Sequence, residues 1–124
     1  MKPEQFIREF RVEKAREVVE GAPDKTATHY VIDTDTYYSE DFLTYFDHSL
    51  EDWETADLNN IAELETIYEH VVSLSDLKRL VESVDRVNAF GGLKDAKAVV
   101  KMGKHYKYLK AHISNYESIY GGGE

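Results

Sequence analysis

The sequence lacks cysteine and has only two prolines among its 124 residues. Without cysteine there is no disulfide framework, no thiolate nucleophile and no cysteine-based zinc site. Its apolar runs are shorter than the roughly 18–20 residues that a membrane-spanning helix needs. The first residues lack the apolar core of a signal peptide. Together with 42% apolar and 31% charged residues, these absences predict one globular domain over residues 1–124, located in the cytoplasm.

Basic residues are missing from the middle of the chain. Residues 26–77 contain thirteen Asp and Glu residues and no Lys or Arg. Within them, the stretch THYVIDTDTYYSEDFLTYFDHSLEDWETAD (28–57) holds nine carboxylates. Residues 78–124 instead carry nine basic and five acidic side chains, although the whole chain has a net charge of −9. Such an asymmetry bears on partners and association rates and not on the fold.

The apolar pattern predicts an α+β fold in three parts. Residues 1–22 have two apolar stripes at helical spacing, which predict an N-terminal helical pair that ends at Gly21. Residues 27–57 alternate β-branched and aromatic runs with turn residues, which predicts a small, acidic antiparallel β-meander. Residues 59–120 return to helical spacing and predict three to four helices, with a break at Gly91 and Gly92.

Two segments of the helical parts resemble each other. FRVEKAREVV (10–19) and FGGLKDAKAVV (90–100) share a Phe, a break, an apolar residue, a Lys, an Ala and a Val pair. Both predict a helix, a short turn and a second helix, with Phe10 and Phe90 buried at the corners. Convergence of short helical hairpins, a duplication and a DNA-reading helix-turn-helix all explain the pattern.

Larger segments are similar to known proteins. PEQFIREFRVEKAREVVEGAP, ATHY and SLSDLKRLVESVDRVNAFGGLKDAK resemble small accessory proteins of unassigned function encoded by tailed phages and prophages of enteric bacteria. The resemblance implies a product of the bacterial host cell that acts on host or phage regulation. It carries over no catalytic residue, because proteins of this kind have no assigned activity.

The sequence shows no pattern typical of catalysis. It has no glycine-rich phosphate loop with its Lys and Ser/Thr and no G-x-S-x-G elbow. The close carboxylates at 33 and 35, and at 51 and 52, lie in polar turns, where burial cannot separate their pKa values. His105 and His112 are seven residues apart, too far for the joint metal ligation that i, i+4 spacing permits. We therefore predict no enzyme activity, no cofactor and no metal.

The acidic middle has three functional explanations. It can pair with the lysine helix of its own chain or of a second copy in a homodimer, it can bind a basic partner protein, or it can mimic DNA. The remaining explanation is a solvated acidic surface without a partner. The leading prediction is a non-enzymatic protein that binds and modulates a host protein, itself basic or nucleic-acid-binding, through an acidic, tyrosine-rich face. The predicted partner-binding residues, whose carboxylates we expect to be exposed, are Asp33, Asp35, Tyr37, Glu40, Asp41, Tyr45, Glu51, Asp52, Trp53 and Glu54.

The alternative prediction is a nucleic-acid-binding regulator. It would use the helix-turn-helix-like unit at 76–110, where Lys94, Lys97, Lys101 and Lys104 step along one helical face. Aromatic residues interleave with the lysines that follow, which suits base stacking. The acidic net charge and the absence of arginine from this helix argue against direct nucleic-acid binding.

Overall fold

The computed structural model describes residues 1–103 and 107–121. The predicted α+β class is confirmed. No helix among these residues is long and apolar enough to span a bilayer. The elements in chain order are α1 (Pro3–Glu20), β1 (His29–Val31), β2 (Thr36–Ser39), β3 (Thr44–Asp47), β4 (Asp52–Thr55), a 3-10 turn (Ile61–Glu63), α2 (Leu64–Ile67), β5 (Val71–Ser73), α3 (Leu74–Ala89), α4 (Leu93–Met102) and α5 (Lys107–Tyr120).

The five strands form one antiparallel sheet in the order β4-β3-β2-β1-β5. The first four follow one another as a meander. The fifth corrects the prediction that residues 59–120 are helical, because β5 pairs with β1 and places Val72 opposite Tyr30. Val71 and Val72 are both buried, at 2% and 1% exposure. Adjacent residues of a strand point to opposite faces, so β5 is covered on both sides and its sequence shows no alternation.

The predicted N-terminal helical pair is confirmed, because α1 consists of two helical segments joined across a kink at Arg11. This residue has φ 78° and ψ 158°, outside the helical region. Gly92, which precedes α4 in the similar segment, has φ 115° and ψ −177°. The two segments therefore break at the same point of their shared pattern and with a similar backbone conformation. Glycine adopts a positive φ without a steric cost. For a residue with a side chain, the same φ has a steric cost.

The predicted burial of the two phenylalanines is wrong for Phe90. Phe10 is half-buried, and its ring centroid lies 5.0 Å from that of Phe6. Phe90 caps the C-terminus of α3 and is 36% exposed. The reason is that α4 docks through Ala96 and Leu93, which belong to a core cluster with α3 and α5. The corner residue itself stays at the surface.

The three loops of the meander share one construction. Each has four residues, and the last of them has a positive φ: Asp35 at 51°, Leu43 at 49° and Glu51 at 52°. Four-residue loops of hairpins are most often built around a type I turn, and a left-handed residue after such a turn leads into the next strand. Consecutive loops of a meander lie at opposite ends of the sheet. The acidic residues at 40 and 41 are thereby separated from those at 33, 35 and 51.

The sheet is covered on both faces, but unequally. The main core lies between one face, called the helix-covered face, and helices α1, α3 and α5; it includes Tyr30, Tyr37 and Leu80. On the opposite, outer face, Val31, Leu64 and Val71 form a small cluster beneath residues 58–68. Cross-strand pairing places four residues of β3 and β4 on the outer face as well, and none of them is fully buried. These residues are Tyr45, Asp47, Asp52 and Glu54.

Candidate protein-binding surface

The acidic hairpin, residues 40–57, is the part of the sheet with the highest negative charge. It holds seven carboxylates and no Lys or Arg. The ion pairs of the described residues join Lys14 to Glu17, Arg16 to Asp85 and Lys97 to Glu117, and the His70 imidazole lies within 4.0 Å of Glu9 and Asp33. Within that part of the chain, no basic side chain is paired with a carboxylate of the acidic hairpin. Five of the seven carboxylates are exposed, so most of this negative charge faces solvent.

The predicted exposure of the carboxylates is confirmed for six of the seven residues for which it was made. The six are Asp33, Asp35, Glu40, Asp41, Glu51 and Asp52. Glu54 is half-buried, because it lies on the outer face directly across from Tyr45. Two carboxylates outside the hairpin have fixed partners. Asp33 accepts a hydrogen bond from the His70 backbone N–H at 3.2 Å, and Asp35 accepts one from the Tyr30 hydroxyl at 2.5 Å.

Tyr37 does not belong to the surface, and its prediction as a partner-binding residue is wrong. It is 5% exposed, and its hydroxyl donates a hydrogen bond to the Val18 carbonyl at 2.6 Å. Burial raises the pKa of Tyr37 to about 12. It lies across from Tyr30, with ring centroids 5.0 Å apart, so the alternation of β2 turns it to the helix-covered face.

Trp53 joins the acidic hairpin to the main core and to the loop that follows α1. It is half-buried on the helix-covered face, with its ring centroid 5.5 Å from that of Phe46. Its indole Nε1 donates a hydrogen bond to Asp24 Oδ2 at 3.0 Å. Hydrogen bonds from the Thr26 side chain, from Trp53 and from the Thr26 backbone lower the pKa of Asp24. Asp24 was not predicted from the sequence, because it lies 29 residues before the Trp53 indole from which it accepts this bond.

Some carboxylates of the hairpin shape its backbone. Asp47 Oδ1 accepts hydrogen bonds from Ser49 Oγ at 2.6 Å, Ser49 N at 2.9 Å and Leu50 N at 3.3 Å. These bonds, the Ser49 hydroxyl foremost, lower the pKa of Asp47. Asp52 accepts a bond from the backbone N–H of Trp53 at 2.8 Å. The exposed carboxylates at 40, 41 and 51 make no such contact among the described residues, so they are the ones that a partner can use.

Apolar side chains protrude beside these charges. Phe42 is 66% exposed in the loop between β2 and β3, next to Asp41. Leu50 is 61% exposed in the loop between β3 and β4, next to Glu51. A single exposed apolar residue needs no explanation. Two of them at opposite ends of one acidic hairpin provide apolar contacts alongside a charge pattern, as protein-binding surfaces do.

A cavity opens on the outer face at one end of the hairpin. It has a volume of about 200 Å³. The ring centroids of Tyr38 and Tyr45, which both line it, are 6.2 Å apart. Burial, and then the neighbouring Tyr68 hydroxyl, raise the pKa of Tyr38 to about 12. The complete lining is Tyr38, Tyr45, Ala56, Asp57, Leu58, Leu64, Ile67 and Tyr68.

The predicted lysine stripe on α4 is only partly exposed. Lys94 and Lys101 are exposed, Lys97 is half-buried with its Nζ 2.7 Å from Glu117 Oε2, and Lys104 lies outside the described residues. Helix α4 packs against α3 and α5 through a cluster that includes Ala96 and Leu109. In the described part of the chain, this helix therefore does not neutralise the acidic sheet.

A second group of titratable residues lies at the other edge of the sheet. His70 Nδ1 is 3.2 Å from Asp33 Oδ1, and His70 Nε2 is 4.0 Å from Glu9 Oε2. His70 lines a cleft of about 500 Å³ together with Thr66. The Thr66 hydroxyl donates to the Glu63 carbonyl at 2.7 Å, so it is not paired with the histidine. The arrangement ties the first loop of the meander to β5 and α1.

No group of three or more histidine, aspartate or glutamate side chains in residues 1–103 and 107–121 could hold a metal ion. His105, considered from the sequence, is not among these residues. Comparison with known proteins adds no relationship, because no family model, curated protein or solved structure matches the chain.

The sheet also contains a histidine that should make stability depend on pH. Burial lowers the pKa of His29 below 6.5, against Glu40, Glu65 and Asp76, which raise it. The unfolded chain then binds a proton at a higher pH than the folded chain does. We expect the free energy of unfolding, measured by urea titration, to fall as the pH drops from 6.5 through the lower pKa of the folded state.

In the His29→Gln variant, the free energy of unfolding should depend less on pH below 6.5. His48→Gln is the matched control, because His48 is exposed in a hairpin loop, and it should keep the slope of the wild type. Equal slopes in the His29→Gln variant and the wild type would contradict the prediction.

Proposed function

We propose that this protein is a non-enzymatic binding protein that engages a basic partner protein through the acidic hairpin. The observation that carries the proposal is the segregation of charge: seven carboxylates without a Lys or Arg in residues 40–57, and no basic side chain paired with them in the described structure. Exposed like charges repel one another and lower the stability of the fold. A basic partner would remove this repulsion when it binds.

The surface also has apolar side chains, which binding affinity requires in addition to charge. Complementary charges mainly accelerate encounter and select among partners, whereas buried aromatic and apolar contacts contribute most of the affinity. Phe42 and Leu50 protrude from the hairpin loops, and Tyr45 is half-buried on the outer face. These three residues would provide the apolar contacts among the carboxylates of the acidic hairpin.

The finer proposal is that the partner is a host protein that itself binds nucleic acid, with the carboxylates in the place of phosphates. It is supported by the acidic surface and by the resemblance to phage and prophage accessory proteins. The phage context and a location in the bacterial cytoplasm remain predictions. If the carboxylates imitate phosphates, duplex DNA should compete with this protein for the partner.

The test compares two variants with the same net charge. The hairpin variant carries Glu40→Gln, Asp41→Asn and Glu51→Gln, all at exposed positions. The control carries Glu13→Gln, Glu20→Gln and Glu82→Gln, which are exposed on α1 and α3. Each variant is immobilised, exposed to a lysate of enteric bacteria, and the retained proteins are identified by mass spectrometry.

We expect a partner retained by the wild type and by the control, and at least about tenfold weaker binding to the hairpin variant, which corresponds to about 1.4 kcal/mol. Binding should also weaken as the salt concentration rises. Similar binding of the partner to both variants, or to neither, would refute the proposed surface.

The alternative function, nucleic-acid binding, rests on a basic groove between α4 and α5. Lys97, Lys101 and Lys110 line it above an apolar floor that includes Val100 and Ile113. Glu117 lines it as well and forms an ion pair with Lys97. Titration of the wild type with single-stranded and duplex oligonucleotides distinguishes the two functions. Saturable binding that Lys101→Gln weakens would favour the alternative over the acidic hairpin.

A further inference from the structure

We propose that the cavity beside Tyr38, Tyr45 and Tyr68 receives the side chain of one arginine from the basic partner. The inference rests on the proposed function, because it names the chemical group that the acidic hairpin recognises. It concerns one end of the hairpin, where an aromatic wall and a carboxylate meet.

The walls of the cavity suit a cation. The Tyr38 and Tyr45 rings lie across from each other on neighbouring strands, with centroids 6.2 Å apart and planes at 48°. The Tyr68 hydroxyl interacts with Tyr38, so its ring closes the same space. A cation within about 6 Å of a tyrosine ring is attracted by the negative face of the ring.

The charges around the opening are complementary to a cation. Asp57 is exposed and lines the cavity. Glu54 lies on the same face, directly across from Tyr45, and side chains in such cross-strand pairs have Cβ atoms about 4.5–5.5 Å apart. No Lys or Arg occurs anywhere in residues 26–77, so the segment that builds the cavity provides no cation of its own.

The size of the cavity restricts what it can hold. Sites for drug-sized ligands measure about 300–1,000 Å³, whereas this cavity measures about 200 Å³. A single long side chain is the better match. Ala56, Leu58 and Leu64 provide an apolar floor, against which the methylene stem of a basic side chain can pack while its charged end stays near water.

Arginine matches this geometry better than lysine does. Its planar guanidinium stacks on aromatic faces and can pair with a carboxylate through two parallel hydrogen bonds. An ammonium group is more strongly hydrated and pairs as a point charge. In this cavity a guanidinium would stack on the tyrosine rings and pair with Asp57 at the edge.

The experiment uses a glycine-flanked arginine pentapeptide, blocked at both ends, and follows tyrosine ring signals by NMR in low salt. The same peptide with citrulline in place of arginine is the neutral control, and a lysine peptide is the third probe. The wild-type protein is compared with Asp57→Asn, Tyr45→Leu and Glu82→Gln. Glu82→Gln removes one exposed carboxylate of α3, which lines no part of the cavity.

We expect the arginine peptide to shift the signals of Tyr38, Tyr45 and Tyr68, and to bind Asp57→Asn and Tyr45→Leu about five- to tenfold more weakly than the wild type. Glu82→Gln should change binding by less than about twofold, because an exposed charge farther away is screened. The citrulline peptide should not bind, and the lysine peptide should bind more weakly. Thermal melting confirms that each variant is folded.

Three outcomes would overturn the inference. The citrulline peptide could bind as tightly as the arginine peptide, the Asp57→Asn and Glu82→Gln variants could weaken binding equally, or the arginine peptide could shift no tyrosine signal. None of these outcomes refutes the acidic surface itself. That surface is tested separately, by comparing how much partner the hairpin variant and its control retain.

Discussion

Replacing Arg11 by glycine should stabilise the protein. Arg11 holds φ 78° and ψ 158° at the interruption of α1, a conformation that costs a residue with a side chain about 1–3 kcal/mol. Glycine avoids this cost but loses about 0.5–1 kcal/mol through the greater freedom of the unfolded chain. We expect a net gain of about 1 kcal/mol in the free energy of unfolding, measured by urea titration and visible as a rise of a few degrees in Tm.

Arg11→Ala separates the backbone effect from the loss of the side chain. Arg11 is exposed, and both substitutions remove its guanidinium. The alanine variant keeps a Cβ at the positive φ, so its free energy of unfolding should not rise above that of the wild type. The glycine variant should therefore be more stable than the alanine variant by about 1–2 kcal/mol. If both variants have the same stability, the positive φ of Arg11 is not a source of strain.

This interruption is also where the sequence was most informative about the fold. The shared pattern of residues 10–19 and 90–100 located both breaks, because in each segment a Phe and the break precede an Ala and Val stripe. The pattern did not show that Gly92 and Arg11 have similar backbone angles. It also misplaced Phe90, whose burial depends on how α4 packs and not on the local spacing.

The errors in the sheet have one physical origin, which is pairing between distant segments. Residues 61–71 have helical spacing, yet Val71 and Val72 form β5 because β1 offers a strand edge and both faces are covered there. Tyr37 looks like a surface tyrosine in an acidic stretch. The register of β2 against β1 turns it towards Tyr30 and α1.

The candidate surface was predictable in charge but not in shape. Carboxylates are costly to bury without a partner, so a stretch without Lys or Arg had to expose most of them. The cavity, in contrast, combines Tyr38 of β2, Tyr45 of β3 and Tyr68 after α2. Its assembly depends on the strand order and on how residues 58–68 cover the outer face, and neither can be read from local spacing.

Two serines provide the second large effect, because the same substitution should change stability in opposite directions. Ser39 and Ser83 are both fully buried at 0% exposure. The Ser39 hydroxyl has no hydrogen-bond partner among the described residues. The Ser83 hydroxyl lies 2.8 Å from His112 Nδ1 and accepts a bond from Asn115 Nδ2, also at 2.8 Å. Since Ser83 accepts from Asn115, its proton is available for His112.

Ser39→Ala removes a buried polar group that gains nothing from the fold, whereas Ser83→Ala leaves Asn115 and His112 without their partner. An unsatisfied buried donor or acceptor costs about 1–3 kcal/mol. We expect Ser39→Ala to raise the free energy of unfolding by about 1 kcal/mol and Ser83→Ala to lower it by about 1–3 kcal/mol. Urea titrations of the two variants and the wild type measure both changes.

The change in volume is identical at the two positions, so packing alone predicts equal effects. Asn115→Ala provides an independent check on the network, because the Asn115 side chain also accepts a hydrogen bond from Arg79 Nη1 at 2.7 Å. In a double-mutant cycle, Ser83→Ala and Asn115→Ala should cost less together than the sum of the single changes, since each removes the same bond. Equal destabilisation by Ser39→Ala and Ser83→Ala would show that the Ser39 hydroxyl has a partner in solution, such as a buried water molecule, and that the contrast between the serines does not hold.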